Sequence, residues 1–262
     1  MAKAPFKSQK CIFRSDGRFC NKRGGVCSLR PYSKTGETVV AIADSSLVAT
    51  CPDRFSCSGA VVSWVGQVLL DTKEPVVITE LPFLKSSSGK KSQVATVGKI
   101  DMVLIHPDNK RLHWCALEVQ AVYFSGPGMA TEFEVLKTWQ GPGVPFSKKI
   151  RRPDFRSSGP KRLMPQLQIK VPTIARWGKK MAVVVDLPFW QSIGPIVEET
   201  DKSNCDIAWF VMKYTHNGKR FCLKPAGVHF TTLDRAIEGL TGGKPTTQAE
   251  FESLLRAKLS SR

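Results

Sequence analysis

The chain has 262 residues, of which 42% are hydrophobic, and a formal net charge of +17 at pH 7. That hydrophobic share supports a packed core and excludes a disordered chain. No apolar run reaches the ~18 residues of a spanning helix and no apolar segment of signal-peptide type follows the basic start, so a soluble, cytoplasmic protein without a membrane partner is expected.

The charge is unevenly placed. Residues 1–35 carry a net +8 and residues 137–181 a net +11, while residues 36–136 between them carry −3 and the remainder +1. Lysines and arginines that neutralise phosphates release condensed counterions, so two basic blocks around a mildly acidic segment point to a polyanion. The plainer reading is a solvated basic surface.

Residues 1–57 hold five of the eight cysteines, Cys11, Cys20, Cys27, Cys51 and Cys57, with few long apolar residues before Val39. Such a segment needs a staple, and in a cytoplasmic chain a metal is favoured over disulfides. Residues 58–262 read as the main domain. Ser58–Leu70 has helical spacing and Glu74–Leu84 is β-rich. Ile100–His106 and Leu112–Phe124 flank a Pro107-Asp108-Asn109-Lys110 turn and predict a hairpin. Residues 125–160 read as a long functional loop, and Leu163–Trp177 as a helix that Pro172 kinks or interrupts. Met181–Leu187, Asp206–Thr215 and Arg220–Phe230 follow as strands, and Thr247-Gln248-Ala249-Glu250 as the capping box of a last helix. The expected class is α/β, a mixed β-sheet flanked by helices.

The chemistry lies on the hairpin. Strand side chains two apart share a face, so Glu118 and Gln120 point one way while Leu117, Val119 and Ala121 point the other. Glu118 sits in an otherwise apolar strand, and Asp101 lies between Ile100 and Met102 on the strand before it. Unpaired carboxylates are costly there, and two brought together repel unless a hard divalent cation such as Mg²⁺ neutralises them. Phosphodiester hydrolysis uses such a site, because the cation polarises the phosphate and acidifies a bound water. The bland alternative has Asp101 marking a strand start and Glu118 paired with a lysine at the sheet edge.

Asp, a turn, then Glu-x-Gln is the order of the PD-(D/E)XK nucleases, most of which carry lysine where Gln120 stands. The run Ala116-Leu117-Glu118-Val119-Gln120-Ala121-Val122-Tyr123-Phe124-Ser125-Gly126 resembles the NotI family of restriction endonucleases, whose members carry glutamine there. Cys20-Asn21-Lys22, Cys27-Ser28-Leu29-Arg30, Cys51-Pro52-Asp53-Arg54-Phe55 and Leu163-Met164-Pro165-Gln166-Leu167 extend the resemblance from Cys11 to Phe189.

The resemblance implies a type II enzyme cutting a defined site in double-stranded DNA with Mg²⁺, and a structural iron or zinc ion on four cysteines. Carried over by position, Asp101 and Glu118 bind Mg²⁺, Gln120 takes the lysine's place, and Glu80 is an additional upstream glutamate. The Val119 carbonyl would complete the shell. An amide has no proton-accepting state near neutral pH, so Gln120 orients water and is not a base. Its loss of a positive charge would increase dependence on a second cation. Cys11, Cys20, Cys27 and Cys51 match the family's ligand pattern best, with Cys57 an alternative member. Within the basic loop 137–181, Lys148, Lys149, Arg151, Arg152, Arg156, Lys161 and Arg162 form the candidate DNA-contacting surface.

A homodimer is expected, because a palindromic site matches two-fold protein symmetry, and a cognate DNA methyltransferase in the same host. The competing readings are a metal-stabilised nucleic-acid-binding module without catalysis, and a structure-specific repair nuclease.

Overall fold

The computed structural model describes residues 11, 13–14, 17, 19, 27–36, 38–42, 47–85, 96–108, 112–125, 134–135, 138–141, 150–216, 221–242 and 246–261. Among the described residues of the N-terminal part, short strands pair. β1 (Ser28–Leu29) runs antiparallel to β4 (Val48–Ala49), and β2 (Tyr32–Thr35) to β3 (Thr38–Ala41). A 3-10 helix over Pro52–Gly59 leads into α1 (Ala60–Leu70), as the apolar spacing predicts.

The core is a six-stranded mixed sheet of β5 (Val76–Lys85), β6 (Thr96–Ile105), β7 (Trp114–Val119), β10 (Met181–Asp186), β11 (Ile207–His216) and β12 (Phe221–Thr231). Its order is β12-β11-β10-β7-β6-β5, with β10 parallel to both β7 and β11 and the other pairs antiparallel. Two further strands, β8 (Tyr123–Phe124) and β9 (Pro153–Asp154), pair apart from it.

β10 is buried along its whole length because both faces are covered. Met181, Val183 and Val185 pack toward Leu167, Val171 and Ile174, whereas Ala182 and Val184 pack toward Val61 and Val65 of α1. Burying a side chain of this size contributes ~1.5–3 kcal/mol, so the two apolar layers account for much of the fold's stability.

The helices on the first face are α3 (Met164–Arg176), reached through α2 (Phe155–Ser158) and a π-helical turn at Gly159–Leu163, then α4 (Leu187–Ser192) and α5 (Leu233–Thr241). α4 and α5 have no counterpart in the sequence expectations. The last helix, α6 (Gln248–Ser260), opens with both bonds of the expected Thr247–Glu250 capping box.

One expectation is narrowed and one needs correction. Pro172 does not interrupt α3, which continues to Arg176. Pro172 and Gln168, the residue whose carbonyl loses its bond, are both on the exposed face, where that group is open to solvent. The strand expected over Leu112–Phe124 stops at Val119. There the chain changes partners: Gln120 N–H donates to Val184 O at 2.9 Å and Val122 N–H to Ala49 O at 2.8 Å, before β8 begins.

The N-terminal segment is held to the core by polar clasps. Buried Arg54 donates to Ser28 Oγ at 3.2 Å and to the Phe221 carbonyl, and its guanidinium covers the Phe13 and Tyr214 rings. Ser28 Oγ and Tyr214 Oη are 2.8 Å apart. Asp186, at the end of β10, accepts from Ala49 N–H of β4 and from Phe189 N–H, whose helix it caps.

Candidate active site

β6 and β7 pair with Met102 opposite Leu117, so Asp101 and Glu118 fall opposite one another at the next step. β5 and β6 pair with Thr79 opposite Met102 and Leu81 opposite Ile100, which sets Glu80 opposite Asp101. Three acidic residues therefore occupy one row across three neighbouring strands. Asp101 and Glu118 interlock: Asp101 N–H donates to Glu118 Oε1 at 3.3 Å, and Val119 N–H donates to Asp101 Oδ2 at 3.0 Å.

A cavity of about 180 Å³ opens at this row, lined by Asp101, Glu118, Val119, Gln120, Tyr123 and Gln166 among others. Small-molecule pockets begin at ~300 Å³, so this one suits water, an ion and the edge of a larger ligand. Gln120 is buried, and its amide nitrogen donates to the Ala121 carbonyl, which leaves Oε1 as the end available to the cavity.

Behind the row stands Lys170, a residue that the sequence expectations omitted. Its Nζ lies 2.6 Å from Glu118 Oε1, with the lysine side chain 7% and the glutamate 4% exposed. It also donates to Gln166 Oε1 at 3.2 Å, one turn earlier on α3. A signal existed: Leu163, Leu167, Val171 and Ile174 are buried at helical spacing, and position 170 lies within that stripe. A lysine on a core-facing stripe needs a buried partner. Glu118 does pair with a lysine, but with one from the covering helix and not from the sheet edge.

Burial pushes the Glu118 carboxyl up to about 7, Asp101 adds to the rise, and Lys170 opposes it. Burial also raises Asp101, against the Val119 N–H bond and Lys170, while Glu80 adds to the rise. The site thus holds more negative charge than it comfortably accommodates. A divalent cation bound there would offset that charge.

The oxygens present suit Mg²⁺, which takes one or two carboxylates and keeps several waters. Among the described residues no group of three or more His, Cys, Asp or Glu side chains is placed to hold a metal. The carboxylates at the cavity are two, Asp101 and Glu118; the Val119 carbonyl and water would supply the rest of the shell, leaving Gln120 Oε1 to orient a water.

Glu80 stands apart in its side chain. It is 66% exposed and pairs with Lys99 at 3.3 Å. Its backbone has φ +56°, a left-handed conformation that costs a non-glycine residue ~1–2 kcal/mol. The register brings Glu80 beside Asp101, but its carboxylate does not line the cavity.

Of the expected cysteine ligands, Cys11, Cys27 and Cys51 are among the described residues. Cys27 and Cys51 are buried and Cys11 is partly so, yet none belongs to a metal-binding group among the described residues, and the iron or zinc site gains no support. Cys20 and the Cys57 side chain lie outside those residues. Among the described residues, the clasps of Arg54 and Asp186 tie the N-terminal segment to the core.

The basic loop divides. Lys148 and Lys149 lie outside the described residues. Arg151 is buried, its backbone N–H donating to Tyr32 Oη at 3.0 Å and its guanidinium to Ser125 O at 3.3 Å, so it braces the loop and is not part of an exposed DNA surface. Arg152, Arg156, Lys161 and Arg162 are exposed. Arg162 lies 3.8 Å over the ring of Tyr123, a cavity residue, which sets a cation at the rim of the acidic site.

The model of the family described as restriction endonuclease NotI matches residues 1–223. No curated protein matches the chain.

Proposed function

The chain belongs to the NotI restriction endonuclease family, type II site-specific deoxyribonucleases that act on DNA, and from this premise we propose that it hydrolyses the DNA backbone at a Mg²⁺ site on Asp101 and Glu118. The observation that carries the reading is the interlocked Asp101–Glu118 pair in a cavity rimmed by Arg162. The arrangement is consistent with an ExQ variant of the PD-(D/E)XK nucleases, with Gln120 in the lysine's position.

Bound there, Mg²⁺ would polarise the scissile phosphate and acidify a water. The chain's own residues do the rest. Asp101 and Glu118 supply the negative charge that retains the cation, and Gln120 orients water through Oε1. Arg152, Arg156, Lys161 and Arg162 neutralise the phosphates that an acidic cleft would repel. Glu80 joins the reacting row once Lys99 turns to a DNA phosphate and releases its carboxylate. The enzyme acts as a homodimer on a two-fold symmetric site, beside a methyltransferase that protects the host. Residues 1–57 form a cysteine-rich unit on a nuclease core of 58–262, and elemental analysis of purified protein for iron and zinc tests whether Cys11, Cys20, Cys27 and Cys51 carry an ion.

The decisive experiment incubates the purified protein with plasmid DNA and Mg²⁺. Discrete fragments are expected from the wild type, and none from Asp101→Ala or Glu118→Ala. Unchanged cleavage by either variant would place the reaction elsewhere.

A further inference from the structure

The cavity's charges do not balance until Lys170 is counted. Asp101 and Glu118 bring two negative charges to the row, and Gln120 brings none. Glu80, already paired with Lys99 and mostly exposed, stands outside the cavity. The positive charge comes from α3, where Lys170 Nζ sits 2.6 Å from Glu118 Oε1 in a contact almost closed to water.

From this geometry we infer that Lys170 is a positioning residue of the cleavage site and that it limits the site to one divalent cation. The inference rests on the Mg²⁺ reading of Asp101 and Glu118. Glu118 Oε1 already accepts from Lys170 and from Asp101 N–H, so it is committed and Oε2 is the oxygen left for a cation. Gln166 takes a second proton of the ammonium at 3.2 Å, which fixes Lys170 along its helix.

Without DNA, the two carboxylates at the cavity and the ammonium together leave a net charge of −1. One divalent cation turns that to +1, matched to a single phosphate. A second would leave +3 in a largely desolvated cleft, which is unfavourable where charges interact strongly. The charge absent at Gln120 is thus supplied from another element, and a second metal ion is not needed to replace it.

The test measures Mn²⁺ binding by the full chain without DNA at pH 8, beside Mg²⁺-dependent plasmid cleavage. The wild type should bind one Mn²⁺ per chain. Lys170→Met should cleave at least a hundredfold more slowly yet bind Mn²⁺ several-fold more tightly, because its site has lost a competing cation. Lys170→Arg keeps the charge and should recover at least tenfold of the lost cleavage while keeping one ion.

A merely structural lysine would lower cleavage, Mn²⁺ affinity and the thermal midpoint together. Two Mn²⁺ per wild-type chain would overturn the inference, and this measurement stands even if Lys170→Met does not fold. So would Lys170→Met cleaving within threefold of wild type. If Asp101→Ala also cleaved normally, the Mg²⁺ site itself would be misplaced; if Asp101→Ala were inactive, only the role of Lys170 would fall.

Discussion

Replacing Asp186 by alanine removes, in one step, the acceptor of two buried backbone donors, Ala49 N–H and Phe189 N–H. Each buried N–H left unsatisfied costs ~1–3 kcal/mol, so the two together cost ~2–6 kcal/mol. An opposing gain depends on pH. Burial holds the Asp186 carboxyl up at about 6, against the pull of its backbone donors. The folded protein therefore binds this proton more tightly than the unfolded chain does. The stability that this proton contributes is fully present below pH ~4 and is lost as pH rises through 6. Between pH 4.5 and 7.5 the loss is ~2 kcal/mol, because each pH unit over which only the folded chain keeps the proton is worth ~1.4 kcal/mol.

Asp186→Ala has no such proton to lose. Its deficit relative to wild type should accordingly be ~2 kcal/mol smaller at pH 7.5 than at pH 4.5. Urea unfolding of both proteins in EDTA at the two pH values measures the difference. An equal deficit at both, or a larger one at pH 7.5, would refute the reasoning. Cleavage should fall as well, because Ala49 O accepts from Val122 N–H and so steadies the chain just after Gln120.

Glu80→Gly relieves the left-handed backbone at that position. It should raise stability in urea by ~0.5–1 kcal/mol once the flexibility of glycine is discounted; a loss would show that the conformation is not strained. Full cleavage by the same variant would remove Glu80 from the reacting row. Arg156→Ala, Lys161→Ala and Arg162→Ala should each lower the slope of log affinity against log salt by about one, measured by DNA binding in Ca²⁺. Arg151→Ala should leave that slope unchanged and lower unfolding stability by ~1–3 kcal/mol, since its guanidinium bonds Ser125 O. A normal slope in Arg162→Ala would detach the cavity rim from DNA.

Much of the frame is local and was legible. β10 reads as a covered strand because six successive buried residues admit no polar one before Asp186, and the Thr247–Glu250 cap is a pattern four residues long. The β6–β7 pairing followed from two apolar runs around a Pro-Asp turn, and period-two alternation put Glu118 and Gln120 on one face. Other elements were not legible. α4 is six residues long, started by the Asp186 cap and held by packing of Phe189, which is too short for a helical period to register. Arg151 and Arg162 carry the same charge in the same basic block, yet one is interior and one is at the rim. Composition counts charge but says nothing of burial.

The sequence by itself determined the acidic pair, its face of the strand and the basic blocks beside it, because strand periodicity and charge are properties of near neighbours. Only the tertiary structure decided what surrounds Glu118. Lys170 is 52 residues away along the chain and reaches Glu118 because α3 packs across the sheet. Glu80, by contrast, was expected with the pair and stands in its row, but its backbone turn and Lys99 draw its carboxylate outward. Ion pairs in a desolvated cleft are set by how elements pack in three dimensions, and no spacing along one strand encodes that.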